Sequence, residues 1–226
     1  MRDRFSGAGI FTDLEEKGLS VSVLFKQMQI VGLLGGVACG KSTVAKQLAD
    51  LGAGVLDADR AGHEVLRLPH VEAAARKRWG NAAFGADGHV DRSRLGGIVF
   101  AQSPAGPPER IYLEQLTHPE IGRLLREQAK DMDAAGVKVA ILDAPLILEA
   151  HWDKLCKRLL FVDAPREARL ARARGRGWNE EEFAAREGVQ ESLDFKRRHA
   201  DVIIDNSGSP QRTKAQVEQF WRSLFQ

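Results

Sequence analysis

The sequence predicts an α/β fold, a parallel sheet covered on both faces by helices. Two observations predict it. Short apolar runs alternate with longer helical stretches along the chain. The runs also end in glycine or aspartate, at Gly35, Asp57, Asp143 and Asp163, which gathers polar chemistry along one sheet edge. Ligands of such sheets sit beyond the carboxyl ends of the strands. The first strand is Ile30–Leu34, an apolar run closed by glycines. Val44, Ala45, Leu48 and Leu51 then recur at helical spacing, and Gly52 and Gly54 end that helix. Val55-Leu56, closed by Asp57, is a second strand. Residues 60 to about 135 are mainly helical, with loops at Gly85–Gly88 and Ser103–Pro108 and a helix break at His118-Pro119. Val137–Leu142, Arg158–Val162 and Val202–Ile204 are the remaining strands, and the polar stretch 166–198 is helical. Ser209-Pro210 is an N-cap followed by a first-turn proline. Val217, Phe220, Trp221 and Leu224 share one face of the final helix. Trp79, Phe84, Phe100 and Tyr112 are expected in the core of the helical segment.

Composition narrows the function. The chain has 226 residues, enough for one compact domain with small appendages. Its net charge of +2 argues against a protein that coats nucleic acid. The 43% hydrophobic and 28% charged content excludes wholesale disorder. Two cysteines, Cys39 and Cys156, make no disulfide scaffold and suit a reducing cytosol, so a cytoplasmic location is expected. No CxxC or HExxH spacing indicates zinc. The apolar runs fall short of the roughly 20 residues that a membrane span needs. Residues 1–28 are interrupted by charges of both signs, unlike an export signal. They read as a flexible leader or as sequence ahead of a start at Met28.

The most specific motif is Gly35-x4-Gly40-Lys41-Ser42, which fits G-x-x-x-x-G-K-[ST] between a strand and a helix. Gly35, Gly36 and Gly40 let backbone amides approach phosphate oxygens, and the following helix adds its positive dipole end. Lys41 supplies a charge for the β- and γ-phosphates of ATP, and the Ser42 hydroxyl is a ligand for Mg²⁺. Cys39 within this loop reads either as a small tolerated side chain or as a redox-sensitive thiol. GTPases, ATPases and small-molecule kinases share such loops, but the Asn-Lys-x-Asp element of guanine recognition is absent.

The acceptor side rests on carboxylates. A kinase needs one to orient the attacking hydroxyl and take its proton. Asp57-Ala58-Asp59 follows the second strand, and an extended segment there would turn both carboxylates the same way. The same spacing suits a helix cap at Asp59 beside a solvated Asp57. Asp143, after Val-Ala-Ile-Leu, is a Walker-B-like candidate for Mg²⁺ or its waters, or simply a polar strand end. Arg166, Arg169, Arg172, Arg174 and Arg176 crowd eleven residues with one acid, Glu167. They form either a solvated helix face or a flap whose arginines neutralise the transferring phosphoryl group. A nucleic-acid role is weaker, because Glu180-Glu181-Glu182 reverses the sign and only Trp178 is there to stack. His118 alone is compatible with a satisfied core histidine.

Five blocks together resemble the dephospho-coenzyme A kinase family: the phosphate loop, Val55–Asp59, Leu113–Pro119, Asp143–Glu149 and Ala200–Gly208. The resemblance covers residues 29–226. It implies transfer of the ATP γ-phosphoryl group to the ribose 3′-hydroxyl of dephospho-CoA, the last step of coenzyme A synthesis. It also implies a P-loop nucleotide-kinase-like core with a five-stranded parallel sheet (29–60, 136–165 and 199–226), a helical CoA-binding insertion (61–135) and a helical lid (166–198). On it Asp59 falls on the proposed catalytic base and Ala38, Cys39, Gly40, Lys41, Ser42 and Thr43 on the ATP-binding segment. Asp57, Asp59 and His118 lie on the substrate side, and Arg174 and Arg176 compete for the lid-arginine role. Two departures stand out: Leu34 replaces a threonine of many members, and Cys39 replaces a serine or glycine. The expected partner is the small molecule dephospho-CoA, with neither nucleic acid nor membrane. A nucleoside or nucleotide kinase on the same core is the second reading. An ATP-dependent switch or scaffold is the third, and the presence of Asp59 argues against it.

Overall fold

The computed structural model describes residues 28–226 apart from 102, 103 and 105. The expected leader (1–28), Met28 apart, and Ser103 of the expected loop lie outside the described residues. The chain divides into two compact units, one holding Ala58–Glu127 and the other the remainder of the described chain.

The larger unit is built on five strands: β1 (Gln29–Gly35), β2 (Gly54–Asp57), β3 (Val139–Asp143), β4 (Arg158–Asp163) and β5 (Val202–Asp205). They pair in parallel in the order β2-β3-β1-β4-β5. Val31 and Leu33 of β1, Ile141 of β3 and Val162 of β4 meet Val44 and Leu48 of α1 (Lys41–Asp50). They also meet Val217 and Phe220 of the C-terminal helix (Pro210–Ser223). On the opposite face Gly32 of β1 leaves room for Cys156, Leu159 and Ile147, the nearest 2.8 Å from where a Cβ would stand. Strands covered on both faces read as continuous apolar runs, which is why they stand out in the sequence.

β3 starts two residues later than expected. Val137 belongs to the end of the helix before it, where its amide donates to Met132 O at 3.0 Å and the Gly136 amide to Asp133 O at 3.0 Å. With Gly136 at φ +83° this is a Schellman closure.

The smaller unit holds α2 (Ala58–Val65), α3 (Pro69–Trp79), a 3₁₀ turn (Gly80–Ala83) and α4 (Arg92–Val99). The long α5 (Gly106–Ala134) begins in it and ends in the larger unit. Ala75, Phe84, Val90, Leu95 and Val99 form its core, with Trp79 packed against them and Tyr112 edge-on to Trp79 at 5.4 Å. Phe100 departs from expectation: it caps α4 and is 58% exposed, because Val99 fills the core in its place. The helix break at His118-Pro119 is also corrected. α5 runs straight through Pro119. An interior proline costs about 3 kcal/mol, and here Ile121, Leu125 and Ala129 are buried along the continuing helix. Pro107 and Pro108 sit in its first turn rather than in a loop.

In the larger unit α6 (Arg166–Arg174), α7 (Glu180–Gly188) and α8 (Leu193–His199) lie between β4 and β5, and α9 (Pro210–Ser223) closes the chain. Ser209 caps α9 by accepting the Arg212 amide, as the Ser-Pro pair predicts.

Candidate active site

Gly35 is the last residue of β1, and a Cβ there would stand 2.5 Å from Cys39 Sγ and 2.8 Å from Val162 O. The chain then turns through Ala38 at φ +58° and Gly40 at φ +102°, the second a conformation that favours glycine. The Cys39 amide returns to Gly36 O at 3.2 Å. α1 starts at Lys41 with no side-chain cap. Its first backbone bonds come from Thr43 and Val44 to Gly40 O. The amides at this helix start therefore lack intrahelical acceptors, and together with the helix dipole they make an anion site.

What holds the loop is a set of side chains that grip its carbonyls. Arg172 Nη1 and Asn206 Nδ2 both donate to Cys39 O, at 2.8 and 2.7 Å. Arg172 Nη2 donates to Asn206 O at 2.8 Å, and Thr213 Oγ1 donates to Asn206 Oδ1 at 2.9 Å. Arg169, 3% exposed, reaches Val37 O at 3.4 Å and Ala164 O at 3.2 Å and pairs with Glu187. In a planar trans peptide the C=O and the next N–H point in opposite directions. Holding the carbonyls of Val37 and Cys39 therefore fixes the amides of Ala38 and Gly40 on the other side of the chain. A rigid row of donors costs nothing to reorganise when an anion arrives.

The expected site residues fall as follows. Lys41 is half-buried, and Ser42 and Thr43 are exposed at the start of α1. Asp143 closes β3, in register with Leu33 of β1 and with Asp57 of β2. Two of the expected carboxylates thus share the sheet edge from which the loop springs. Asp163 and Asp205 are likewise register partners at that edge. The extended segment expected at 57–59 is absent, because α2 begins at Ala58. Asp59 is the exposed second residue of that helix, inside the first turn and not its cap. An acid there suits the helix dipole. His118 is half-buried in the middle of α5, and burial pushes its imidazole below the ordinary value of 6.5.

The arginine run splits. Arg169 and Arg172 turn inward to the loop. Arg174 and Arg176 are exposed; Arg174 lies 3.5 Å from Glu180, and Arg176 sits 5.9 Å from the Trp178 ring. Sequence reasoning missed Arg169 and Arg172 as loop supports, as well as Asn206, Thr213, Glu149 and Lys196. The spacing of Arg169 and Arg172, one helical turn apart, was the available signal.

A glycine-lysine phosphate loop at the carboxyl edge of a five-stranded parallel sheet is the architecture of the P-loop kinases. The fold superposes on the crystal structure of TT1252 from Thermus thermophilus with a TM-score of 0.74 at 31% identity, over 88% of this chain and 98% of that one. Residues 29–211 match the dephospho-CoA kinase family. The dephospho-CoA kinase of Symbiobacterium thermophilum is 41% identical over 87% of this chain and 81% of its own length. That of Carboxydothermus hydrogenoformans is 37% identical over 84% and 91%. The chain belongs to the dephospho-CoA kinase family.

Proposed function

We propose that this chain transfers the γ-phosphoryl group of ATP to the ribose 3′-hydroxyl of dephospho-CoA, giving CoA and ADP. The observation that carries the reading is the built phosphate loop, Gly35–Ser42, in a chain of this family. Amides at Ala38, Gly40 and the start of α1 cradle the phosphates, and Lys41 meets the β- and γ-groups. Asp59 orients the acceptor hydroxyl and takes its proton as the new O–P bond forms. The bond from the γ-phosphorus to the bridging oxygen breaks, and ADP leaves. Arg174 or Arg176 offsets charge on the group in transit. Residues 61–135, with His118, receive the CoA portion, Asp57 helps seat the acceptor, and 166–198 closes as a lid.

Mg²⁺ suits the oxygen donors present. Ser42 offers a hydroxyl and Asp143 a carboxylate for the ion or its waters. Among the described residues no cluster of three His, Cys, Asp or Glu could hold an ion alone, which fits a metal that arrives with the nucleotide. Held there, the ion would neutralise charge on the phosphates. No helix among the described residues is long and apolar enough to cross a membrane, and the cysteine usage supports placing the enzyme in the cytoplasm.

Incubation with ATP, Mg²⁺ and dephospho-CoA, followed by mass analysis, should give a product heavier by one phosphoryl group. Phosphorylation of a panel nucleoside or nucleotide in preference to dephospho-CoA would overturn this reading, as would ATP binding without turnover of any acceptor.

A further inference from the structure

Beside the phosphate loop lies a cation that the reaction just described leaves without a task. Lys196, on α8, is 2% exposed. Its ammonium donates to Gln190 Oε1 at 3.0 Å and stands 3.4 Å from Glu149 Oε1. That carboxylate is shared: Glu149 Oε1 also accepts the Glu191 amide at 2.7 Å. Glu149 Oε2 is buried with no hydrogen-bond partner among the described residues. The start of α8 presses on the loop itself, with Leu193 2.9 Å from where a Gly36 Cβ would stand.

A buried ion pair repays its desolvation only when geometry and hydrogen bonding are complete. Here three ammonium protons meet one amide oxygen and one shared carboxylate oxygen. Burial pushes the Lys196 ammonium down, Glu149 opposes that, and the positive charge of Lys41 adds to the lowering. Lys196 therefore sits in the field of the loop lysine, with the Glu149 carboxylate as its one ion-pair partner among the described residues. A polyphosphate anion on the loop would supply the missing negative charge.

We propose that Lys196 is a second, buried cation of the nucleotide-phosphate site, held in place by Glu149 and Gln190 and positioning Lys41 and the triphosphate through its charge. Its repulsion drives the Lys41 ammonium toward the ligand, and its field strengthens the site for the β- and γ-phosphates. The inference rests on the loop binding nucleotide as set out under the proposed function.

The test compares Lys196→Met, which keeps the stem and removes the charge, with Lys196→Arg, which keeps the charge. Lys196→Met should raise the Kd for ADP and the KM for ATP by about tenfold or more, the scale of one lost charged contact. Its KM for dephospho-CoA should stay within about twofold of wild type, and Lys196→Arg should recover most of the ADP affinity. A purely structural ion pair would instead lower the melting temperature and leave ADP affinity unchanged in the folded protein. Should Lys196→Met not fold, the double variant Lys196→Met with Glu149→Met removes both charges, and it should show the same loss of ADP affinity. ADP affinity within about twofold of wild type in either folded variant overturns the proposal, as does an equal rise in KM for both substrates. A wild-type protein that binds no ADP overturns the phosphate-loop reading itself.

Discussion

Asn206→Ala tests the claim that the phosphate loop is shaped from outside. Asn206 is 9% exposed and Thr213 1% exposed. The Cys39 carbonyl can only accept, so the Asn206 amide nitrogen must face it and the amide oxygen must face Thr213. Truncation removes both bonds, at about 1 kcal/mol each, and leaves a buried hydroxyl without its acceptor, at about 1–3 kcal/mol. Cys39 O keeps its bond from Arg172, which limits the loss. The expected destabilisation is about 2–4 kcal/mol, read from denaturant midpoints at unchanged m-value. For a chain of this size that is roughly 4–16 °C in Tm. The KM for ATP should rise, because the Gly40 amide loses half of what fixes its direction. Thr213→Val removes the orphaned hydroxyl, so the double variant should lose less than the sum of the singles, by about 1 kcal/mol. An Asn206→Ala protein within about 0.5 kcal/mol of wild type would refute the reasoning.

Three further perturbations probe the rest of the site. Asp59→Asn should lower kcat by about 10²–10⁴-fold, the usual range for losing a general base, and unchanged turnover in steady-state assays would remove that role. Of Arg174→Ala and Arg176→Ala, one should lower kcat by about 10²-fold and the other leave it within about threefold; if neither moves kcat, neither arginine acts on the transferring group. His118 is held below 6.5 by burial, so the unfolded chain takes up its proton at a higher pH than the folded one. Its contribution is complete above about 6.5 and is lost as pH falls through the folded value. His118→Asn should flatten the stability profile between pH 8 and 5, measured by denaturant unfolding, and an unaltered slope would contradict the assignment.

The sheet was legible because buried parallel strands carry their pattern in consecutive residues, and the phosphate loop because its glycines and lysine act within eight positions. What surrounds the loop was not. Arg172 and Asn206 are 34 residues apart yet converge on one carbonyl; nothing local in either segment records a partner so far along the chain. The arginine run looked uniform in sequence, whereas burial divides it: Arg169 and Arg172 face the loop while Arg174 and Arg176 face water. The sequence leaves Asp57 and Asp59 open between an extended pair and a helix cap, because the strand pattern has no stop signal stronger than Asp57, whereas Ala58, 5% exposed, already starts a helix there. Pro119 misled for the opposite reason: a local breaker signal was outweighed by packing along the helix that continues past it.

The clamp also explains why the two departures from the family pattern leave the shape of the loop intact. Cys39 is 1% exposed, and its sulfur lies beside Gly35 within the loop. Its part in the clamp is played by its carbonyl, which every residue possesses, so the side chain is free to change provided it fits the space that Gly35 leaves. The same burial keeps the thiol out of reach of solvent oxidants, which removes the physical basis for a redox sensor in the folded state. Leu34, 3% exposed, belongs to the core at the end of β1, and its replacement of threonine exchanges a hydroxyl for apolar packing while the donors to Val37 O and Cys39 O remain Arg169, Arg172 and Asn206. The residues that cannot vary are those whose backbone or side chain sets the direction of an amide: Gly40, where φ is +102° and a Cβ would collide with Asn206, and Arg172 and Asn206, which hold the carbonyl one residue before it.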